Sequence, residues 1–131
     1  MRQHREIHYT MISPDDWRWK NFTPKEIACK GTGLILIDED ALDKLQAFRE
    51  MIGIPFTPNS AYRSESRNSA VGGAPRSMHR KGKAFDIPII EGMTREVIKE
   101  HAKIAGFTGI GDYNTFVHID TGRERYWDLR T

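Results

Sequence analysis

The sequence predicts an α+β domain, in which helices pack on a small, mainly antiparallel sheet. Segments with apolar residues at helical spacing alternate with short apolar segments bounded by glycine, proline and asparagine. Two of the short segments flank a single turn near the C-terminus, which is typical of an antiparallel hairpin. The helical segments supply the apolar faces that cover one side of such a sheet.

Four segments carry the signals of helix starts and ends. At the first, Thr23 precedes Pro24, and Glu26 follows three residues after the threonine, which is the pattern of a capping box. A glycine follows the second and the fourth segments, where helices commonly end in a left-handed residue. The predicted helices cover residues 21–29, 38–51, 64–70 and 94–105.

Four further segments have the composition of strands. Ile54–Asn59 contains Pro55 and Pro58, which lack a backbone donor, so we expect this strand near a sheet edge. The other predicted strands are Ala84–Ile90 and, on either side of a turn at Asp112–Thr115, Phe107–Gly111 and Phe116–Thr121.

Length and composition fit one globular domain. The chain has 131 residues, of which 38% are hydrophobic and 29% are charged, a balance too apolar for a disordered chain. We expect an N-terminal arm over residues 1–20 and a single domain over residues 21–131. The one cysteine, Cys29, excludes an intramolecular disulfide and a cysteine zinc cluster, and we interpret it as a small buried hydrophobe.

Charge and hydropathy argue against two classes of partner. The formal net charge is only +2, and no stripe of Lys and Arg interleaved with aromatic residues indicates a nucleic-acid surface. No run of about 18 apolar residues exists that could span a membrane. Residues 1–10 are polar and lack the apolar core of a signal peptide, so action outside the cytoplasm would need another delivery route.

The first group of candidate site residues lies between positions 77 and 86. His79 is at the end of a predicted loop and Asp86 lies inside a predicted strand, with Gly82 allowing a sharp turn between them. Ala84 shares the strand face of Asp86 and is small, so it leaves room beside the carboxylate. An imidazole and a carboxylate are suitable zinc ligands, but two ligands do not make a tight site.

The second group lies on the predicted strand at 116–120, where period 2 puts Phe116, His118 and Asp120 on one face. Two polar side chains on an otherwise apolar strand indicate a buried, hydrogen-bonded His–Asp pair, an exposed strand face, or a metal ligand with an acidic neighbour. Together the two groups supply two histidines and one aspartate, leaving a fourth tetrahedral position for water. That is the composition of a catalytic zinc site.

Arg63 follows a predicted strand and precedes a predicted helix. A loop there can present its guanidinium to a cleft, where it binds a carboxylate through two parallel hydrogen bonds. The alternative interpretation is an ordinary surface salt bridge.

The pattern Ser-x-His-x-x-Gly-x-Ala-x-Asp over residues 77–86, followed by Phe-Val-His-Ile-Asp over residues 116–120, resembles the zinc D-Ala-D-Ala carboxypeptidases and peptidoglycan endopeptidases. That family shares its zinc fold with D-Ala-D-Ala dipeptidases and the hedgehog signalling domain. The resemblance covers most of the chain from about residue 21, including residues 21–29, 45–49, 60–63 with Asn68, and 123–127.

The resemblance implies one Zn²⁺ held by His79, Asp86 and His118. It implies that Arg63 meets a carboxylate or carbonyl of the substrate and that Ser77 supports the substrate. It further implies that the substrate is a stem or cross-link peptide of peptidoglycan. Short relatives without a wall-binding domain are often phage or prophage lysis proteins, so endolysin activity is an expectation for this chain.

The general base is where the sequence departs from its relatives. Many of them have an acidic residue three positions before the second zinc histidine, where this chain has Thr115. Asp112, six positions before that histidine, resembles the acidic residue of the hedgehog domain and is our predicted base, with Asp120 as the second choice. Tyr113 or Trp127 is a candidate cleft wall, although Trp127 fits the core equally well.

Taken together, these patterns predict a monomeric zinc peptidase that acts on the cell wall and binds no nucleic acid. An alternative is a zinc-stabilised binding module of the same fold without hydrolytic activity. A metal-free nucleic-acid binder is a third hypothesis, although no motif in the sequence supports it.

Overall fold

A computed structural model describes residues 4–131. The first three residues of the predicted N-terminal arm lie outside this range. The helices are α1 (Pro24–Ile27), α2 (Glu39–Ile52), α3 (Glu65–Ala70) and α4 (Arg95–Ala105), with short 3₁₀ turns at Tyr9–Met11, Pro14–Asp16 and Met78–Lys81. The strands are β1 (Ile7–His8), β2 (Leu34–Ile35), β3 (Ala84–Pro88), β4 (Gly109–Asp112), β5 (Phe116–Asp120) and β6 (Arg125–Asp128).

The predicted helices are confirmed together with their caps. Thr23 Oγ1 accepts the Glu26 amide at 3.2 Å, and the Glu26 carboxylate accepts the Thr23 amide at 2.8 Å, which completes the capping box of α1. α2 ends at Gly53 and α4 ends at Gly106, both with positive φ. Local sequence signals were therefore sufficient to place the helices.

The main sheet has four strands in the order β3-β5-β4-β6. β5 pairs antiparallel with both β3 and β4, whereas β6 pairs parallel with β4. The α+β class is confirmed, but the main sheet is mixed because its C-terminal strand, which no sequence pattern predicted, runs parallel to its neighbour. β1 and β2 form a separate antiparallel pair.

The predicted strand Ile54–Asn59 is wrong. None of its residues lies in a strand, and an isolated bridge to Asp86 forms at the next residue, Ser60. The Asn59 amide donates to the Asp86 carbonyl at 2.8 Å, and the Asp86 amide donates to the Ser60 carbonyl at 2.9 Å. Pro55 and Pro58 carry no amide hydrogen, so a continuous ladder cannot form through them.

The two faces of the main sheet carry different kinds of side chain. One face packs on α2 and α4, and its side chains form part of the apolar core: Phe85, Ile87, Ile110, Val117 and Ile119, each at most 3% exposed. The residues between them in sequence point to the other face, which carries Asp86, His118 and Asp120. The helices therefore cover one side of the sheet and leave the other for the polar cluster.

The N-terminal arm packs against α2. Trp19 is 2% exposed and its indole N–H donates to Asp43 Oδ1 at 2.9 Å, while the Trp17 indole N–H donates to the Phe22 carbonyl at 2.7 Å. The domain boundary between residues 20 and 21 remains a prediction. None of the helices in the described range 4–131 is both long and apolar enough to cross a bilayer.

Candidate metal centre

Three side chains from separate parts of the chain converge on one point. One nitrogen from each of His79 and His118 and one oxygen of Asp86 all lie within 4.8 Å of one another. Asp86 Oδ1 is 3.1 Å from His79 Nε2 and 3.1 Å from His118 Nδ1, and the two imidazole centroids are 5.0 Å apart. All three residues are buried. The structure thus assembles the predicted ligand set.

Local backbone geometry brings His79 to the strand that carries Asp86. Ser77 caps the 3₁₀ turn containing His79 by accepting its amide at 3.2 Å. Gly82 then takes φ of 72°, a left-handed conformation that favours glycine, and turns the chain into β3. Asp86 and His118 face each other directly in the antiparallel register of β3 and β5.

The outer nitrogen of each imidazole is fixed by a hydrogen bond. His79 Nδ1 lies 2.7 Å from the Ala61 carbonyl, which can only accept, so Nδ1 carries the proton and Nε2 has its lone pair directed at the cluster. His118 Nε2 lies 2.7 Å from Asp120 Oδ2, which leaves Nδ1 for the cluster. These contacts select the tautomers that a metal requires.

The donor set fits a zinc ion. Bonds of about 2 Å to a tetrahedral centre put neighbouring ligand atoms about 3.3 Å apart, close to the 3.1 Å from the carboxylate oxygen to each imidazole nitrogen. Two imidazoles and one carboxylate are common zinc ligands, and the three residues line an open pocket. A metal held here would keep one position for water or substrate.

The cluster favours the ionised carboxylate. Burial alone raises the pKa of Asp86, but its close contacts with His118 and His79 outweigh burial and hold that pKa below its ordinary value. Burial lowers the pKa of His118, whereas its contacts with Asp120 and Asp86 raise it by more. A proton therefore competes with a cation for His118 as pH falls.

The pocket beside the cluster has a volume of about 540 Å³, and Arg63 lines it. The Arg63 Nη2 lies 3.8 Å from Asp86 Oδ2, and its Nε and Nη1 donate to Ser60 and Asn68 at 3.3 and 3.1 Å. Its side chain is only 19% exposed, so the interpretation as an ordinary surface salt bridge does not apply. Ser77 lines the same pocket.

Aromatic residues form one wall of this pocket. The Trp127 indole N–H donates to Tyr113 Oη at 3.0 Å, and the Tyr113 ring stacks on Phe116 at a centroid distance of 4.5 Å. The Trp127 ring is 5.1 Å from the His118 ring and remains partly exposed. Of the two predicted environments for Trp127, the structure therefore shows the cleft wall and not the core.

The structure contradicts Asp112 as the general base. The sequence placed Asp112 in a turn, but it is the last residue of β4, paired with Val117 on the helix-facing side of the sheet. It is 0% exposed, and its carboxylate accepts hydrogen bonds from Arg95 at 2.8 Å, Lys99 at 2.9 Å and the Tyr126 hydroxyl. The sheet thus separates Asp112 from the cluster.

Asp120, the second choice, lies on the correct face but behind the His118 imidazole. Its contact is with Nε2, while the opposite nitrogen of the same ring faces the cluster. It is fully buried and its hydrogen-bonding sites are filled by protein donors, so it orients the ligand and does not contact the pocket.

Sequence reasoning missed the Ala61 carbonyl and Arg125. No residue type reveals a carbonyl contact. Gly109 was an available signal for Arg125, because a Cβ at this position would collide with the Arg125 guanidinium.

Fold and site together define an α+β domain with a candidate metal centre, in which a buried trio of ligands faces an open cleft. A family model described as peptidase M15 matches residues 20–120, and the chain belongs to that family. It is 36% identical over 100 residues to the peptidoglycan L,D-endopeptidase MepK of Escherichia coli (strain K12), covering 70% of this chain and 54% of that protein.

The chain is also similar to the zinc D-Ala-D-Ala carboxypeptidase of Streptomyces albus G. Identity is 36% over 91 residues, which covers 64% of this chain and 35% of that protein. The chain therefore aligns with about half of MepK and about one third of the carboxypeptidase.

Proposed function

We propose that this protein hydrolyses peptide bonds of bacterial peptidoglycan with a single Zn²⁺. The observation that carries the proposal is the convergence of His79, Asp86 and His118 at the edge of an open pocket. Membership of the peptidase M15 family and similarity to two relatives, a peptidoglycan L,D-endopeptidase and a zinc D-Ala-D-Ala carboxypeptidase, support the same reaction class.

The three ligands would hold the zinc ion through His79 Nε2, Asp86 and His118 Nδ1. Zinc at such a site would supply a bound water with a pKa of about 7 and would polarise the scissile carbonyl. A bound water of that acidity would reduce the need for a separate carboxylate base, in keeping with the position of Asp112 on the other face of the sheet.

Arg63 is the proposed binding group for a carboxylate or the scissile carbonyl of the substrate. Its contacts with Ser60 and Asn68 fix the guanidinium, and Nη2 remains beside the cluster. A fixed cation there stabilises negative charge that develops on the carbonyl oxygen. Ser77, at the pocket lining, is proposed to support the peptide backbone.

Tyr113 is the proposed proton donor to the leaving amine. Its Oη accepts the indole N–H of Trp127, so its own O–H proton is free to point into the pocket. Tyr113 lines the pocket, and a tyrosine hydroxyl is one of the groups that act as general acids in enzymes. The O–H donates to the departing nitrogen, and the phenolate regains a proton from solvent.

A second candidate is a zinc-stabilised wall-binding module. It is favoured by one observation, namely that neither Asp112 nor Asp120 contacts the pocket. Hydrolysis and binding give different products, so one assay distinguishes them.

The test is digestion of purified peptidoglycan with zinc-loaded protein, followed by mass spectrometry of the soluble muropeptides. We expect new amino termini with the loaded protein and none after chelation. The mass of the released fragments also identifies the bond that is cut. Binding to the wall without any new amino terminus would favour the module instead.

Three further properties belong to the same proposal. The fold is the one that D-Ala-D-Ala peptidases share with the hedgehog signalling domain, the protein acts as a monomer, and it meets its substrate in the cell wall after delivery during phage or prophage lysis. The mixed α+β architecture and the ligand trio support the first of these.

A further inference from the structure

Asp120 is held by four donors in a fully buried position. Its Oδ2 lies 2.7 Å from His118 Nε2, and its Oδ1 accepts the Gly122 amide at 2.9 Å. Arg125 donates to both oxygens, from Nη1 at 3.0 Å and from Nη2 at 2.7 Å. This two-pronged contact is the strongest geometry available between an arginine and a carboxylate.

Arg125 reaches Asp120 by crossing a strand. It lies on β6, while Asp120 lies on β5, and β4 runs between them. Gly109 of β4 is in register with both residues, and a Cβ at this position would collide with the Asp120 carboxylate and the Arg125 guanidinium. The glycine therefore leaves the space through which the ion pair forms.

The Arg125 guanidinium also makes a cation–π contact with Trp127. The Arg125 guanidinium lies 4.9 Å from the Trp127 ring centroid, and that ring is in turn 5.1 Å from His118. Cation–π contact of this kind is attractive and orients the planar cation. Arg125 is thus held between the carboxylate that orients His118 and the indole that borders the pocket.

We propose that Arg125 is a positioning residue of the metal centre, which holds Asp120 where it keeps His118 Nδ1 directed at the metal. The inference rests on the proposed zinc site. Loss of the guanidinium leaves a buried carboxylate without its charge partner, and such a carboxylate relaxes toward other donors or recruits water. The imidazole then loses the fixed orientation that ligation requires.

The experiment measures zinc affinity by competition with a chromophoric chelator in the full chain. Arg125→Met should bind Zn²⁺ about 10- to 100-fold more weakly than wild type, the usual effect of losing an outer hydrogen-bonding partner. Arg125→Lys, which keeps the charge with a different donor geometry, should lie between the two. Arg123→Met removes the same charge from an exposed neighbour and is the matched control, expected within about twofold of wild type.

Two additional measurements separate positioning from general damage. The absorption spectrum of the Co²⁺-substituted protein reports ligand geometry, and it should change in Arg125→Met but not in the control. In an Asp120→Asn background, Arg125→Met should add little further loss of affinity, because both changes act through one contact. Gly109→Ala keeps both charged groups but places a Cβ where the ion pair forms, so it should reproduce the loss if Arg125→Met folds poorly by circular dichroism.

The outcomes distinguish failure of the proposed metal site from failure of the positioning role of Arg125. Wild-type protein that binds no Zn²⁺ overturns the metal site and the positioning role together. Wild-type protein that binds Zn²⁺, with unchanged affinity and Co²⁺ spectrum in Arg125→Met and Gly109→Ala, overturns the positioning role alone. Additive losses in the double variant would also overturn it.

Discussion

Replacing Asp112 by asparagine separates the role predicted from the sequence from the role seen in the structure. A general base would lose catalysis and leave stability nearly unchanged. In the structure, Asp112 instead joins α4 to the sheet through Arg95 and Lys99 and contacts Tyr126 of β6. We therefore expect Asp112→Asn to lower the free energy of unfolding and to leave turnover of the folded protein within about threefold of wild type.

The size of the loss follows from the pKa of Asp112. Burial raises this pKa, but hydrogen bonds from Tyr126, Lys99 and Arg95 outweigh burial and lower it from 3.8 to about 2. At about 1.4 kcal/mol per pKa unit, this shift corresponds to about 2 kcal/mol of stability at neutral pH. The contacts with Lys99 and Arg95 are already part of this shift, so we expect a loss of about 2 kcal/mol in total.

The direction in which stability changes with pH follows from the lowered pKa of Asp112. Because the folded-state pKa of Asp112 is lowered, its contribution is fully present above the unfolded pKa of about 4 and disappears as pH falls through about 2. The difference in unfolding free energy between wild type and Asp112→Asn should therefore be large at pH 6 and shrink toward pH 2. Denaturant unfolding at several pH values, with chelator present so that metal binding does not contribute, measures it.

Asp128→Asn is the matched control, because Asp128 is an exposed aspartate at the end of β6 whose ion pair with Arg130 is solvent-accessible. Its loss should change stability far less than the loss of Asp112, because a solvent-exposed ion pair contributes little. A fall in kcat of more than about 100-fold in Asp112→Asn, with unchanged unfolding free energy, would refute the structural role and restore the general base.

Three other variants test the proposed mechanism. Tyr113→Phe should lower kcat on muropeptides by about 100-fold at unchanged zinc affinity, as expected for a lost proton donor; an unchanged kcat removes Tyr113 from the mechanism. His118→Ala should abolish both stoichiometric zinc binding, measured by metal analysis, and release of amino termini. Arg63→Lys should reduce kcat/KM for muropeptides about 10-fold or more, because one ammonium cannot reproduce the guanidinium geometry; equal kcat/KM would exclude a direct role.

The helices and the ligand trio were predictable because their signals are local. The capping box at Thr23, and the glycine stops of α2 and α4, act within a few residues of each helix end. His79 and Asp86 are seven residues apart in one motif, so their joint role is visible without knowledge of the fold. The structure adds that His118 lies opposite Asp86 in the strand register.

The assignment of Asp112 failed because side chains alternate between the faces of a strand. A predicted strand that ended one residue early left Asp112 in a turn, free to face the metal. Its inclusion in β4 put the carboxylate on the face opposite His118. Whether Asp112 belongs to the strand decides which sheet face its carboxylate occupies. The pattern of apolar residues does not locate the end of a strand to one residue, so it cannot assign a catalytic role there.

The sequence by itself determined the ligand residues, the capped helices and the expected class of chemistry, since each depends on residue identity over short spans. Tertiary structure decided which acidic residue orients a ligand and which joins a helix to the sheet, because those roles depend on strand register and on contacts between distant segments. Asp120 and Asp112 have the same side chain, and only the sheet face and the donors around each, Arg125 for one and Arg95 with Lys99 for the other, distinguish them.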